Sequence, residues 1–236
     1  MKYPPGPDPD FPYLGVKDRF PFPDPGEAGD DIVAVGGNLS PGMLLSAYEQ
    51  GIFPWYNPGD PILWQSPDPR FVIFPETLHI SQSMRRILRR GDFEVTLDGD
   101  FAGVIRGCAE AERPGQGGTW ISGDIISGYT ELYRLGYVHS AESRLAGKRR
   151  AEDRLDGKLA GGCYGVLIGG VFCGESMFAK TANASKAAFL TLARHLFDNC
   201  GVRFIDCQVP TDHLRSLGGR EMSRREFLGL LRKTLS

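Results

Sequence analysis

GGCYGVLIGGVFCGESMFAKTANASK, from Gly161 to Lys186, decides how the chain is read. Two β-prone runs, Cys163 to Ile168 and Val171 to Met177, flank Gly169-Gly170, a dipeptide that supplies the positive φ angles of a two-residue hairpin turn. The pattern predicts a β-hairpin. Side chains alternate along a strand, so Val171, Cys173, Glu175 and Met177 are expected on one face, with Gly174 leaving room for close approach. A lone strand glutamate more often reaches solvent or a buried partner than it does chemistry, so its neighbours decide. Asn183 is placed to cap a helix whose apolar positions are Ala187, Leu190, Ala193, Leu196 and Phe197, and Gly201 closes it. The β-prone run Val202 to Gln208 follows, with Phe204, Asp206 and Gln208 on one face. A strand–helix–strand unit lies side by side in a sheet, which can bring Glu175, Asp206 and Gln208 to one sheet end.

Composition narrows the function classes. The chain has 236 residues, 41% hydrophobic and 24% charged, the balance of an ordinary globular protein. The N-terminal MKYPPGPDPDFPYLG is proline-rich and acidic, and no run of about 18 apolar residues occurs, so neither export nor membrane contact is predicted and a cytoplasmic location is expected. Five cysteines, at 108, 163, 173, 200 and 207, form no CxxC pair and are expected as reduced, mostly buried thiols. His79, His139, His195 and His213 are scattered without metal-ligand spacing; no metal is predicted. Gly36-Gly37 lacks both a Walker lysine and the GxGxxG spacing, which excludes a phosphate loop there. Net charge −2 and a pI near 6.1 argue against nucleic-acid binding by the whole surface and require a local patch. SQSMRRILRR, Ser81 to Arg90, reads as a helix closed by Gly91, with Arg85, Arg86, Arg89 and Arg90 as candidate phosphate contacts. A solvated basic face is the plain alternative.

The remaining chain predicts a mixed α/β protein. Residues 1–30 read as an extended arm pinned by Phe20 and Phe22, and Ser40 with Pro41 opens a helix that Gly51 ends. The loop Gly51 to Trp64 gathers Phe53, Trp55, Tyr56 and Trp64, either a domain interface or the wall of an apolar pocket. WQSPDPR reads as a linker between an N-terminal domain, 1–69, and a second domain, 70–236. Asp100 is placed to cap a helix, Val209 to Leu217 reads as a short helix, and Ser223 with Glu226 forms a capping box before the last one.

Six motifs in order, GIFPWY (Gly51 to Tyr56), WQSPDPR (Trp64 to Arg70), GTWI (Gly118 to Ile121), GESMF (Gly174 to Phe178), NASK (Asn183 to Lys186) and IDCQ (Ile205 to Gln208), resemble the bacterial leucyl/phenylalanyl-tRNA:protein transferases from about Phe22 to Leu230. The resemblance implies a small N-terminal α/β domain and a C-terminal domain of GNAT-like fold, a mixed sheet covered by helices. It implies transfer of Leu, Phe or Met from aminoacyl-tRNA to proteins beginning with Arg or Lys, marking them for N-end rule degradation, without a cofactor; a monomer is expected, though the sequence itself does not reveal self-association. Asp206 is then the anchor or base, directly or through Gln208, and Glu175 holds the terminal adenosine or the cationic acceptor. Trp55, Trp120, Phe172, Met177 and Ile205 form the aminoacyl pocket, and the basic helix binds tRNA. This sequence departs from its relatives at Gln65, where they carry tryptophan, at Cys163, where many carry methionine, and by an insert around 143–155, so that Glu142 or Glu152 takes the place of a family glutamate. An acyl-CoA-dependent GNAT acyltransferase and a non-catalytic tRNA-binding module are the rival classes.

Overall fold

The computed structural model describes residues 3–111, 119–146 and 158–235; Glu152 and most of the insert around 143–155 lie outside them. A seven-stranded mixed sheet organises the chain. Its strands are β4 (Arg70–Ile73), β5 (Phe93–Leu97), β6 (Val138–Leu145), β7 (Gly161–Ile168), β8 (Val171–Ala179), β9 (Phe204–Gln208) and β10 (Arg220–Met222), in the order β10-β4-β9-β8-β7-β6-β5. Only β8 and β9 pair in parallel, the arrangement that the intervening helix α5 (Ala184–Asn199) makes possible. The β7–β8 hairpin turns at Gly169, whose φ is 51°. A smaller sheet, in the order β1-β3-β2, joins β1 (Ile32–Val35), β2 (Phe53–Pro54) and β3 (Leu63–Gln65). The mixed α+β expectation holds.

Alternation along the strands sends side chains into two hydrophobic clusters, one on each face of the large sheet. The first takes Val72, Tyr164, Val171 and Phe204, packed with α1 (Pro41–Glu49), α3 (Phe101–Glu110), α4 (Gly123–Arg134), α7 (Arg224–Leu235) and the small sheet. The second takes Phe71, Ile73, Phe172 and Ile205 beneath α2 (Gln82–Arg90) and α5. The N-terminal arm is pinned as expected, through an edge-on ladder from Phe11 to Phe20 to Phe22 that ends on Trp64. Among the described residues no helix is long and apolar enough to cross a membrane.

Several local expectations are corrected. Asn183 stands at the start of α5 with φ 71° and makes no side-chain cap bond; Ser40 likewise makes none, its hydroxyl donating to Asn38 instead. The short helix after Gln208 is confined to α6 (Asp212–Ser216), capped by Thr211. The Asp100 cap and the Ser223–Glu226 box form as predicted. The linker reading of WQSPDPR starts two residues too early and stops one too late, because Trp64 and Gln65 belong to β3 and Arg70 opens β4, an inner strand between β9 and β10.

Arg70 is wholly buried, and its guanidinium meets the Asp206 carboxylate side by side: Nε donates to Oδ1 at 2.8 Å and Nη2 to Oδ2 at 2.6 Å. Nη1 donates to the Gly51 carbonyl at 3.1 Å, and the guanidinium carbon lies 4.9 Å from the Phe53 ring centre and 4.3 Å from that of Phe227. A buried charge without its partner is costly, whereas an apolar pair of like volume is tolerated. Arg70→Met is therefore expected to lose about 3–5 kcal/mol in urea denaturation, and Arg70→Met with Asp206→Leu to recover most of that loss.

Candidate active site

The parallel pairing of β8 and β9 ends at Cys173 and Asp206, yet β8 continues to Ala179 and β9 to Gln208. Beyond that point the two strands part, and a cavity of about 740 Å³ occupies the gap. Its walls come from both clusters: Phe53 and Trp55 from the first, Cys163, Phe172, Met177 and Phe189 from the second. Clefts at the carboxyl ends of parallel strands are where α/β sheets place their ligands.

Two irregularities aim the polar groups into this gap. Tyr164 pairs with Ser176 and Gly165 with Gly174, so Glu175 is the extra residue of a β-bulge. Gly165 suits the constriction opposite, since a Cβ there would lie 2.2 Å from the Cys173 carbonyl oxygen. On β9, Val72 faces Asp206 and Phe71 faces Gln208, which makes Cys207 a second extra residue, and Gln208 adopts a φ of 65°. The first bulge overturns the expectation that Met177 shares a face with Val171 and Cys173. One extra residue shifts the alternation, and Met177 packs with the second cluster while the other two stay in the first.

Glu175 is 9% exposed and Gln208 8%, and both line the cavity. Gln208 Nε2 donates to Glu175 Oε1 at 2.8 Å, and the Tyr129 hydroxyl donates to Oε2 at 3.0 Å. Tyr129 is in turn hydrogen-bonded to the hydroxyl of Tyr48, from α1. Burial raises Glu175 from the usual carboxylate value to about 7, helped by the nearby negative charge of Asp206 and opposed by the hydrogen bonds it accepts. Burial beside Glu175 also pushes both tyrosines well above their ordinary value, so they remain hydroxyl donors. Asp206, by contrast, is 0% exposed and absent from the cavity wall. Both its oxygens are committed to Arg70, and Oδ1 also accepts the backbone N–H of Gln208 at 2.9 Å. The carboxylate is thus held away from the cavity and is tied to Gln208 through that residue's backbone N–H.

Among the pocket residues, Trp55, Trp120, Phe172 and Met177 line the cavity. Ile205 does not: its parallel neighbour is Phe172, and it is fully buried in the second cluster. Gln65 leaves the cavity wall and donates from Nε2 to the Trp55 carbonyl at 2.7 Å, bracing that tryptophan from behind. Arg85, Arg86, Arg89 and Arg90 are exposed on α2, away from this cavity. Glu142 is buried as a structural acceptor for the Thr96 hydroxyl, the Ser140 hydroxyl and the Gly99 N–H. Sequence reading missed Arg70, Tyr48 and Tyr129. The two tyrosines look like ordinary apolar helix positions, but an arginine opening the run Phe71 to Phe74 was a visible signal of a buried partner.

Comparison with known proteins places the chain in a family. A family profile described as leucyl/phenylalanyl-tRNA protein transferase matches residues 72–232, and one for the N-terminal domain of that transferase matches residues 37–68. A leucyl/phenylalanyl-tRNA–protein transferase from Nitratidesulfovibrio vulgaris strain DP4 is 50% identical over 220 residues, covering 93% of this chain and 89% of its own. One from Myxococcus xanthus is 45% identical over 228 residues, covering 95% and 93%. Among solved structures, a tandem GNAT protein from the clavulanic acid biosynthesis pathway aligns with 83% of this chain and 62% of its own at 10% identity and a TM-score of 0.36. That likeness is too slight to bear on the argument. On the two profiles and on identities that span about nine-tenths of each chain, the chain belongs to the leucyl/phenylalanyl-tRNA–protein transferase family.

Proposed function

We propose that the gap between β8 and β9 is where an aminoacyl group, carried as an ester on the 3′ end of a tRNA, passes to the α-amino group of a protein beginning with arginine or lysine. Family membership supports the reaction class. One observation supports the place: the carboxylate of Glu175, tuned to about 7, stands with the Gln208 amide at the rim of an apolar cavity. The side chain of Leu, Phe or Met enters between Trp55, Trp120, Phe172 and Met177. Discrimination among them is graded, since one methylene of fit is worth only about 1–3 kcal/mol.

The ester is already activated, so the site has to handle protons and steady an oxyanion. Gln208 has its Nε2 committed to Glu175, and its amide oxygen is the group left to accept a hydrogen bond from the incoming amine. The ammonium gives one proton to the Glu175 carboxylate and attacks the ester carbon. As the tetrahedral intermediate collapses, the nitrogen loses a second proton and the ribose oxygen departs as a hydroxyl. Asp206, locked by Arg70, is a positioning residue that holds Gln208 through its backbone N–H. Arg85, Arg86, Arg89 and Arg90 meet tRNA phosphates. By the same resemblance, the modified proteins enter N-end rule degradation in the cytoplasm.

Purified protein mixed with leucyl-tRNA and two peptides, one starting with arginine and one with aspartate, should add a leucine mass to the first alone. No gain with leucyl-, phenylalanyl- or methionyl-tRNA would sink the reading.

Glu175 also sets a pH dependence. As pH falls through about 7 its carboxylate is protonated and can no longer take the proton, so kcat/KM should rise with pH around a midpoint near 7. Glu175→Gln should abolish that limb, lower the rate about 10²–10⁴-fold and leave the acceptor amine's own titration near 8. The folded-state value exceeds the unfolded one, so the native state loses stability as pH climbs from about 4.5 through 7. At pH 8 the Gln variant should therefore melt no lower than the parent.

A further inference from the structure

The transfer chemistry proposed above uses the end of the large cavity where Glu175 and Gln208 meet. Its other end is built differently. There Phe178 and Ala179 finish β8, and Ser185, in the first turn of α5, joins the wall. A Cβ at Gly161 would lie 2.9 Å from both the Phe178 carbonyl oxygen and the Ser185 nitrogen, which puts the start of α5 directly beside Phe178. Phe178 is three residues past Glu175, or about 10 Å along the strand.

Unmet polar groups gather at this end. Asn183, before the 16-residue helix α5, makes no side-chain cap bond. The Ala184 N–H donates to the Thr181 carbonyl at 3.1 Å, but those of Ser185 and Lys186 have no hydrogen-bond partner among the described residues. Such amides carry the positive end of the helix dipole. Ser185 is 8% exposed and lines the cavity, and its hydroxyl also lacks a partner among the described residues. His213, from α6, lines the same cavity with its Nε2 buried and unbonded. Burial and the nearby Lys186 ammonium both lower the pKa of this imidazole, so the two side chains stand close together. Among the described residues no carboxylate pairs with Lys186, nor with Lys180, whose ammonium lies 6.0 Å from the centre of the Phe178 ring. Donors buried without acceptors are costly to keep, and every group here suits an anion.

We infer that the first turn of α5, with Ser185, Lys186 and His213, is a phosphate pocket, and that it takes the 5′-phosphate of the nucleoside whose 3′-ester enters the gap between β8 and β9. The helix start supplies amide donors, Ser185 a hydroxyl and Lys186 a charge. Ester and 5′-phosphate leave a ribose on opposite sides, so one nucleoside reaches from the Glu175 end of the cavity to this one. The pocket is separate from α2 and takes a free nucleoside 5′-monophosphate on its own. Its assignment to the donor nucleoside rests on the aminoacyl-transfer reading given above.

Calorimetric titration of the whole protein with adenosine 5′-monophosphate, adenosine and inorganic phosphate tests the pocket. The parent should bind the monophosphate at least about tenfold more tightly than either of the others. Ser185→Ala and Lys186→Gln should each weaken the monophosphate about three- to tenfold and leave adenosine unchanged. Equal affinity for monophosphate and adenosine, binding of neither, or an equal loss on both in the variants overturns the inference. Inorganic phosphate bound as tightly as the monophosphate would mean an anion site without a nucleoside, which overturns it too. Transfer is read in parallel from 3′-leucyl-adenosine with and without a 5′-phosphate. The phosphate should lower KM for the parent and make no difference to Lys186→Gln. If the parent prefers the monophosphate in binding but transfers leucine from neither donor nor from leucyl-tRNA, the aminoacyl-transfer reading fails on its own and the pocket stands.

Discussion

The bidentate pair of Arg70 and Asp206 is the constraint on which the rest of this structure depends. Each ion would cost several kcal/mol to bury alone, so neither strand that carries them, β4 or β9, can enter the sheet interior without the other. The geometry is also fully used: the third donor position of Arg70 reaches Gly51, and the aspartate oxygen that faces Nε also holds the N–H of Gln208. A pair whose net stabilisation is small thereby decides where three separate segments stand. Aromatic rings from Phe53 and Phe227 cover the guanidinium, tying the small sheet and the last helix to the same point.

Next to that fixed point the sheet comes apart, and the cavity proposed as the transfer site lies in the opening. Interruption of pairing after Cys173 and Asp206 removes the backbone partners that would otherwise fill the space. The bulges at Glu175 and Cys207 turn polar side chains inward. Two carboxylates in one neighbourhood then acquire different characters. Asp206 has a cation against both oxygens, while Glu175 has only neutral donors, and burial lifts its affinity for a proton. One carboxylate is thus fixed as a structural charge and the other is free to exchange protons.

How much of this was legible follows from what each pattern encodes. The glycine pair and period-two runs marked the β7–β8 hairpin, and the helix spacing after Asn183 marked α5, because both depend on residues close in sequence. The meeting of Glu175 and Gln208 followed from the strand–helix–strand order. Bulges were not readable, since a one-residue offset in β8 is set by Gly165 across the ladder rather than by β8 itself. Ile205 looked like a pocket residue for the same reason: which side of β9 meets the gap depends on its neighbours. Arg70 was signalled by the apolar run it opens, but the prolines before it made a strand start look like a linker. Tyr48 and Tyr129 connect to Glu175 through a hydroxyl at the end of a ring that otherwise reads as core.

The placement of β4 has a consequence for how the chain is made. Arg70 leaves the ribosome 136 residues ahead of Asp206, and both strands that will flank β4, β9 and β10, belong to the last part of the chain. At about 5–20 residues per second, the arginine waits many seconds for its counter-ion. During that interval the cation has to stay in water, which holds β4 out of any early collapsed core. The large sheet therefore closes late, by insertion of the C-terminal strands around an N-terminal one, and a nascent chain halted before Asp206 has no route to the finished cavity.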